Sequence, residues 1–417
     1  MATTTKLGRD PTEIRIGMIG SVNAGKSTLV GVLTTGRLDN GGGSARMSVL
    51  RHKHEKERGQ TSSIATQCIE FPDENKYYTF VDMAGHERYL KTTVHGLVGL
   101  DIDYVLVMVG TSMGITRMTK EHISTAFSLR IPVIVIFTKI DICPKDLLKK
   151  TVQDVRDIFK IKHNVRGAQF YGIKNEKSLE AVADQFQKGA SICPYFFVSN
   201  KTGEGLDLLR KMLFNLPTRH NWDKHKEKKL IFKITEAFDV TGVGKVVSGK
   251  VIRGKIIAGQ KILVGPFDGT WYKMIAKSLH DNFRRNADQL VTGQSGCIAF
   301  RTRDKKYEIK DKKMITKGMV VVSEDVSDPV KMFKADVMVL THPTTITKGY
   351  QPIINIGTVV QSAQIMDIDQ DINVLRSNDI ASVTFQFMYR PELIHPGQAF
   401  MFREGETRGV GKVISVI

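Results

Sequence analysis

The sequence has little of what would tie it to a secreted or membrane setting. Its four cysteines, Cys68, Cys143, Cys193 and Cys297, are scattered through 417 residues with no Cys-x-x-Cys pair. That spacing excludes a zinc ribbon or a disulfide framework and fits a reducing compartment. Long apolar runs are missing as well. The longest, such as Ile131 to Phe137, fall far short of the roughly 20 residues that cross a bilayer, and they read as buried strands. Met1 to Asp10 is polar with no apolar core, so neither a secretory signal nor a transit peptide is expected. A cytoplasmic protein without membrane association is the expectation. His52 and His54 make a poor metal site, because Arg51, Lys53, Lys56 and Arg58 around them repel a cation.

What the chain does have is length, an ordinary globular balance and positive charge. At 417 residues it exceeds what one hydrophobic core usually serves, so two or three domains are expected. The formal net charge of +18 favours a polyanionic partner. Its distribution is uneven: residues 1–217 hold 30 basic and 22 acidic side chains, 218–330 hold 23 and 13, and 331–417 hold 8 and 8. The middle segment is the basic one, with Arg301, Arg303, Lys305, Lys306, Lys310, Lys312 and Lys313 as a candidate RNA-contacting loop. No aromatic ladder interleaves it, so recognition there would be by backbone and shape.

Chemistry enters at the ends of apolar strands. Glu13 to Ile19 reads as a strand, Gly20-Ser-Val-Asn23-Ala24-Gly25-Lys26-Ser27 follows, and helical periodicity begins at Thr28. In this strand, glycine loop, helix order, backbone N–H groups converge on phosphates and the helix N-terminus adds positive potential. Lys26 would reach the β and γ phosphates, and Ser27 would coordinate Mg²⁺. A second strand, Tyr77 to Val81, ends in Asp82-Met83-Ala84-Gly85. There a carboxylate can hold Mg²⁺ through water and the Gly85 amide can approach a γ-phosphate. A third, Val133 to Phe137, runs into Thr138-Lys139-Ile140-Asp141, whose Asp141 carboxylate can accept two hydrogen bonds from a guanine edge. A fourth, Tyr195 to Val198, ends in Ser199-Asn200-Lys201. All four fall at C-terminal strand ends, where open α/β sheets bind ligands.

With these residues in place the chain resembles the elongation-factor-Tu-like translational GTPases over nearly its whole length. The resemblance extends to Arg58-Gly59-Gln60-Thr61, Asp82-Met83-Ala84-Gly85-His86-Glu87, Thr241 to Gly249, Lys348-Gly349-Tyr350-Gln351-Pro352 and Phe402-Arg403-Glu404-Gly405. Leu38-Asp39-Asn40-Gly41-Gly42-Gly43, Arg51-His52-Lys53-His54-Glu55 and Met118-Thr119-Lys120-Glu121-His122 are similar to the eukaryotic GTP-binding protein one/two branch. The family implies GTP or GDP and Mg²⁺ as cofactors. It implies Thr61 beside Ser27 and Asp82 on the metal, His86 orienting the attacking water, and a ribosome with tRNA or another RNA as partner. Hydrolysis would be slow alone and accelerated by an activating partner, with an exchange partner possible. A monomer is expected. Asn23 stands where the family's phosphate loop has aspartate, and Gln60 is polar where its hydrophobic gate is apolar. Two other roles fit the same domains: a GTPase that regulates a metabolic enzyme, and an RNA-surveillance adaptor.

The expected architecture is an α/β P-loop GTPase domain over 1–217 followed by two small β-barrels, 218–327 and 328–417. Pro217 closes a helical segment, Thr218 to Lys229 reads as a polar linker, and short β-branched runs between glycine turns take over from Leu230. Lys160 to Gln187 reads as an inserted polar excursion.

Overall fold

The computed structural model describes residues 11–50, 64–160, 169–188, 191–267, 269–302, 315–325, 328–369 and 374–417. Contacts divide the chain into two compact units, essentially 13–97 with 102–219, and 220–417, to which 98–101 are grouped. The first unit is a seven-stranded sheet. Its strands are β1 (Thr12–Gly20), β2 (Ala65–Phe71), β3 (Lys76–Asp82), β4 (Tyr104–Gly110), β5 (Val133–Thr138), β6 (Gln169–Gly172) and β7 (Ile192–Val198). They lie in the order β2-β3-β1-β4-β5-β7-β6. β4 and β5 are buried along their whole length, as strands covered on both faces must be. That is why Tyr104 to Val109 and Val133 to Phe137 are unbroken apolar runs.

Parallel pairing aligns the strand ends that carry the motifs. Gly20 of β1 pairs with Met108, Gly110 of β4 with Thr138, and Thr138 of β5 with Val198 of β7. The helices of this unit are α1 (Lys26–Thr35), α2 (Leu90–Gly99), α3 (Arg117–Ser128), α4 (Lys145–Lys160), α5 (Glu176–Gln187) and α6 (Leu206–Phe214). The stretch expected to be a polar excursion is instead partly built into the core. β6 pairs in parallel with β7, and α5 buries Leu179, Val182 and Phe186. Those three residues form one inward stripe at helical spacing, and the charged residues between them face outward.

The second unit is all β. Its first barrel runs Lys261–Phe267, Val320–Val322, Ile231–Val240, Gly244–Arg253, Ser295–Thr302 and Thr270–Asp281, and pairing of the last with the first closes it. The second is a closed barrel of Met332–Thr341, Ile380–Phe387, Val359–Asp369, Ile353–Ile356, Ala399–Glu404 and Thr407–Val416. Phe333, Phe385, Phe387, Phe400 and Phe402 fill its centre. This is the expected fold class, a P-loop α/β domain followed by two small barrels. Among the described residues no helix is long and apolar enough to cross a membrane, and none of the four cysteines is in a disulfide.

Candidate functional site

β1 delivers the chain into a tight loop. Asn23 and Gly25 take left-handed backbone angles, with φ of 62° and 85°, and α1 starts at Lys26 directly after Gly25. Lys26 is buried, and its Nζ donates to the carbonyls of Gly20 at 3.1 Å and Ser21 at 2.9 Å. Burial pulls its ammonium below the ordinary lysine range, and the Asp82 carboxylate opposes that pull. Ser27 Oγ donates to Asp82 Oδ2 at 2.5 Å, so the start of α1 and the end of β3 meet as a hydroxyl and a carboxylate. Gly85 lies against the same loop. A Cβ there would stand 2.5 Å from the Gly20 carbonyl oxygen and collide with Lys26 Nζ.

The β5 end is fastened to this loop. Thr138 Oγ1 donates to the Ala24 carbonyl at 2.8 Å, and Thr111 Oγ1 donates to the Thr138 carbonyl at 2.8 Å. Lys139 then turns the chain through a left-handed conformation, φ 63°, into the short helix Ile140–Ile142. Asp141 is exposed, and its carboxylate has no hydrogen bond or ion pair among the described residues, so both oxygens are available as acceptors. At the β7 end, Ser199 is buried and its Oγ accepts from the Lys201 and Thr202 amides. Its neighbour Asn200 sends Nδ2 to 3.5 Å from where a Gly25 Cβ would be.

These loops enclose one cavity of about 550 Å³. Asn23, Gly25, Lys26, Ser27 and Thr28 line it from the phosphate-loop side, Gly85 and His86 from the β3 side, and Lys139, Asp141, Asn200 and Lys201 from the other end. Gly20, Ala24, Asp82, Thr138 and Ser199 stand behind this wall and hold it through the bonds just given. Thr61 and Gln60, the switch residues implied by the resemblance, lie outside the described residues. So do His52, His54 and all of the candidate RNA loop except Arg301, which is exposed at the end of its strand.

Two histidines of this unit stand in opposite surroundings. His122 in α3 is fully buried, and burial, aided by the Lys26 charge, pushes its imidazole down to about 3. It stays neutral. His86 is exposed on the cavity, and its Nδ1 accepts from the Arg88 amide at 3.1 Å. In the neutral ring that bond leaves the proton on Nε2, the nitrogen free to address another molecule.

Oxygen donors at Ser27 and Asp82 suit a hard cation such as Mg²⁺, which commonly takes few protein ligands and completes its shell with phosphates and water. Among the described residues no group of three or more His, Cys, Asp or Glu side chains is placed to hold a metal ion.

One wall was not expected from the sequence. The segment after α1 lines the cavity through Asp39, Gly41, Gly42, Gly43 and Arg46. Its sequence signal is the glycine run beside Asp39 and Asn40, the composition of a backbone turn.

A mostly parallel sheet with four motif-bearing strand ends around one polar cavity, followed by two barrels, defines a nucleotide-binding protein of the P-loop class. Residues 12–218 match the family described as the elongation factor Tu GTP binding domain, and 326–417 the elongation factor Tu C-terminal domain. GTP-binding protein 1 of Xenopus laevis is 38% identical over 430 residues, covering 97% of this chain and 64% of that protein. GTP-binding protein 2 of Homo sapiens is 33% identical, covering 97% and 69%. The chain thus spans about two thirds of the length of these relatives. Among solved structures, translation elongation factor SelB from Methanococcus maripaludis in complex with the GTP analogue GppNHp is similar in fold. Its TM-score is 0.70 at 19% identity, over 98% of this chain and 80% of that one. A bacterial selenocysteine-specific elongation factor gives a TM-score of 0.69 at 20% identity, over 96% and 58%. The chain belongs to the elongation-factor-Tu-like translational GTPases and is similar over nearly its whole length to GTP-binding proteins 1 and 2.

Proposed function

We propose that the chain is a Mg²⁺-dependent GTP switch that hydrolyses GTP to GDP and phosphate. The observation that carries this reading is the shared cavity on which Lys26, Ser27, Gly85, His86 and Asp141 converge. In it, Asp141 accepts from the guanine edge. The amides from Asn23 to Thr28 cradle the phosphates, and Lys26 exchanges its carbonyl partners for β and γ phosphate oxygens. Ser27 and Asp82, joined by Thr61, would hold Mg²⁺, which when bound neutralises charge on the phosphates. His86 places a water in line with the γ-phosphorus. The water oxygen bonds to phosphorus as the bond to the β–γ bridging oxygen breaks, the electrons of that bond leave with GDP, and a proton of the water passes to an oxygen of the departing phosphate. Competition against labelled GDP tests the binding part: GTP and GDP should displace it and ATP should not. Displacement by ATP at similar concentration would remove the guanine assignment.

The proposal extends to an RNA partner, tRNA or ribosomal RNA, in the cytoplasm, with the ribosome accelerating hydrolysis. Support comes from the family and from the 23 basic against 13 acidic side chains of residues 218–330. If Lys305, Lys306, Lys312 and Lys313 bind phosphates, log affinity for RNA falls linearly with log salt. Changing all four to Ala should flatten that slope by roughly 0.7 for each phosphate of a single strand that is no longer neutralised. GTP affinity should not change. An equal slope in the variant would assign the four lysines to solubility.

A further inference from the structure

We propose that Arg46 is a further nucleotide ligand of this cavity, a guanidinium that binds the phosphates common to GTP and GDP. The inference rests on the guanine-nucleotide reading above. Its basis is the way residues 38–48 are built. Asp39 is nearly buried, and its carboxylate gathers the loop around itself. Oδ2 accepts from the amides of Gly41 at 2.8 Å and Gly43 at 3.1 Å, and Oδ1 from the Ala45 amide at 2.9 Å. Burial alone would raise the carboxyl, yet these amides and the Ser44 hydroxyl outweigh it and hold Asp39 below the usual carboxylate range. Asp39 is therefore an anion spent on the loop's own backbone, which leaves it a poor partner for a neighbouring cation.

The loop is anchored at both ends. The Asp39 amide donates to the Asn200 carbonyl at 2.8 Å, next to the guanine end of the cavity. At the other end the Ala45 carbonyl packs so closely on α1 that any Cβ at Gly31 would collide with it. Directly after that point, the single-turn helix Ala45–Ser48 presents Arg46. The guanidinium lies along Gly43, where an added Cβ would stand 2.5 Å from Nε. Nε is buried and has no hydrogen-bond partner, and the side chain makes no ion pair among the described residues, although it lines the cavity with Lys26 and His86.

A buried guanidinium N–H without an acceptor is costly, the more so because the group is charged. Because the side chain lines the cavity, a turn of the guanidinium toward an anion entering there would give that N–H its acceptor. Guanidinium groups match phosphate oxygens through two parallel N–H donors, which suits Arg46 to a polyphosphate. Its anchors are α1 and the Asn200 carbonyl at the base end of the cavity, so the phosphates assigned to it are those that GDP retains.

Equilibrium affinities of the full chain for GTP and GDP test this. Arg46→Gln, which keeps a polar side chain but removes the charge, should weaken both nucleotides by a similar factor of roughly 10–100. Arg46→Lys should recover part of the loss. Asp39→Asn, which weakens the hold on the loop, should lower both affinities in the same direction. Unchanged affinity in Arg46→Gln overturns the inference, and so does a loss confined to GTP or to turnover. Lys26→Ala separates this failure from failure of the cavity reading. If Lys26→Ala abolishes binding while Arg46→Gln does not change it, only Arg46 is misassigned. If neither variant changes it, the cavity is not the nucleotide site.

Discussion

Replacing His86 with alanine should slow phosphate release from GTP about 10²-fold or more while leaving GTP affinity almost unchanged. The expected split follows from where the ring stands. His86 lines the cavity beside Gly85, whose backbone lies against the phosphate loop. Its Nδ1 is already engaged by the Arg88 amide, which orients the ring and would leave Nε2 to position the water of the proposed reaction. Interactions made with an attacking water exist in the transition state and not in the bound ground state, so losing them lowers turnover without weakening binding. A factor of 10² is about 2.7 kcal/mol, within the range that a positioned proton-exchanging group supplies. Single-turnover hydrolysis at saturating GTP, with affinity measured separately, checks it. Equal turnover in both proteins would reduce His86 to a packing or partner-binding residue.

Asp141→Asn should produce the other large effect, an exchange of base preference. The Asp141 carboxylate is exposed on the cavity, with no protein partner among the described residues. The guanine N1–H and exocyclic amine would donate to its two oxygens. Asparagine offers one acceptor and one donor, which clash with the guanine amine but complement xanthine, whose 2-oxo group accepts. A site built to hydrogen-bond a polar edge loses on the order of 10⁴-fold or more in selectivity when the pairing is broken. Competition binding with GTP and the xanthine nucleotide reads the exchange directly. A variant that retains full GTP preference would show that the base is read elsewhere.

Much of the fold is legible because its signals are local. β4 and β5 announce themselves as continuous apolar runs, and the strand, glycine loop, helix order from β1 into α1 needs only residues near one another in sequence. Other features depend on partners far along the chain. That Lys261–Phe267 pairs with Val320–Val322 is not written in either segment. The α5 region departs from its expected role for a different reason. Its inward residues Leu179, Val182 and Phe186 are outnumbered by charged and polar neighbours, so composition hides the periodicity. The Asp39 loop escapes because its order comes from backbone amides converging on one carboxylate, a pattern with no hydrophobic period to detect. At the site, the sequence indicates the residue types at the strand ends. It does not separate those that line the cavity, such as Asn200, from those that brace it, such as Ser199.

Whether this chain is a ribosome-stimulated GTPase is decided by phosphate release from GTP in the presence of Mg²⁺, measured with and without ribosomes for the full chain and for Lys26→Ala. Lys26 is the cation of the phosphate loop, buried against Gly20 and Ser21 with Asp82 in its field. Slow release is expected from the unmodified chain, with a marked rise on adding ribosomes, and no release above background from Lys26→Ala under either condition. Two results would refute the assignment: release by Lys26→Ala equal to that of the unmodified chain, or no GTP-dependent release from the unmodified chain with or without ribosomes.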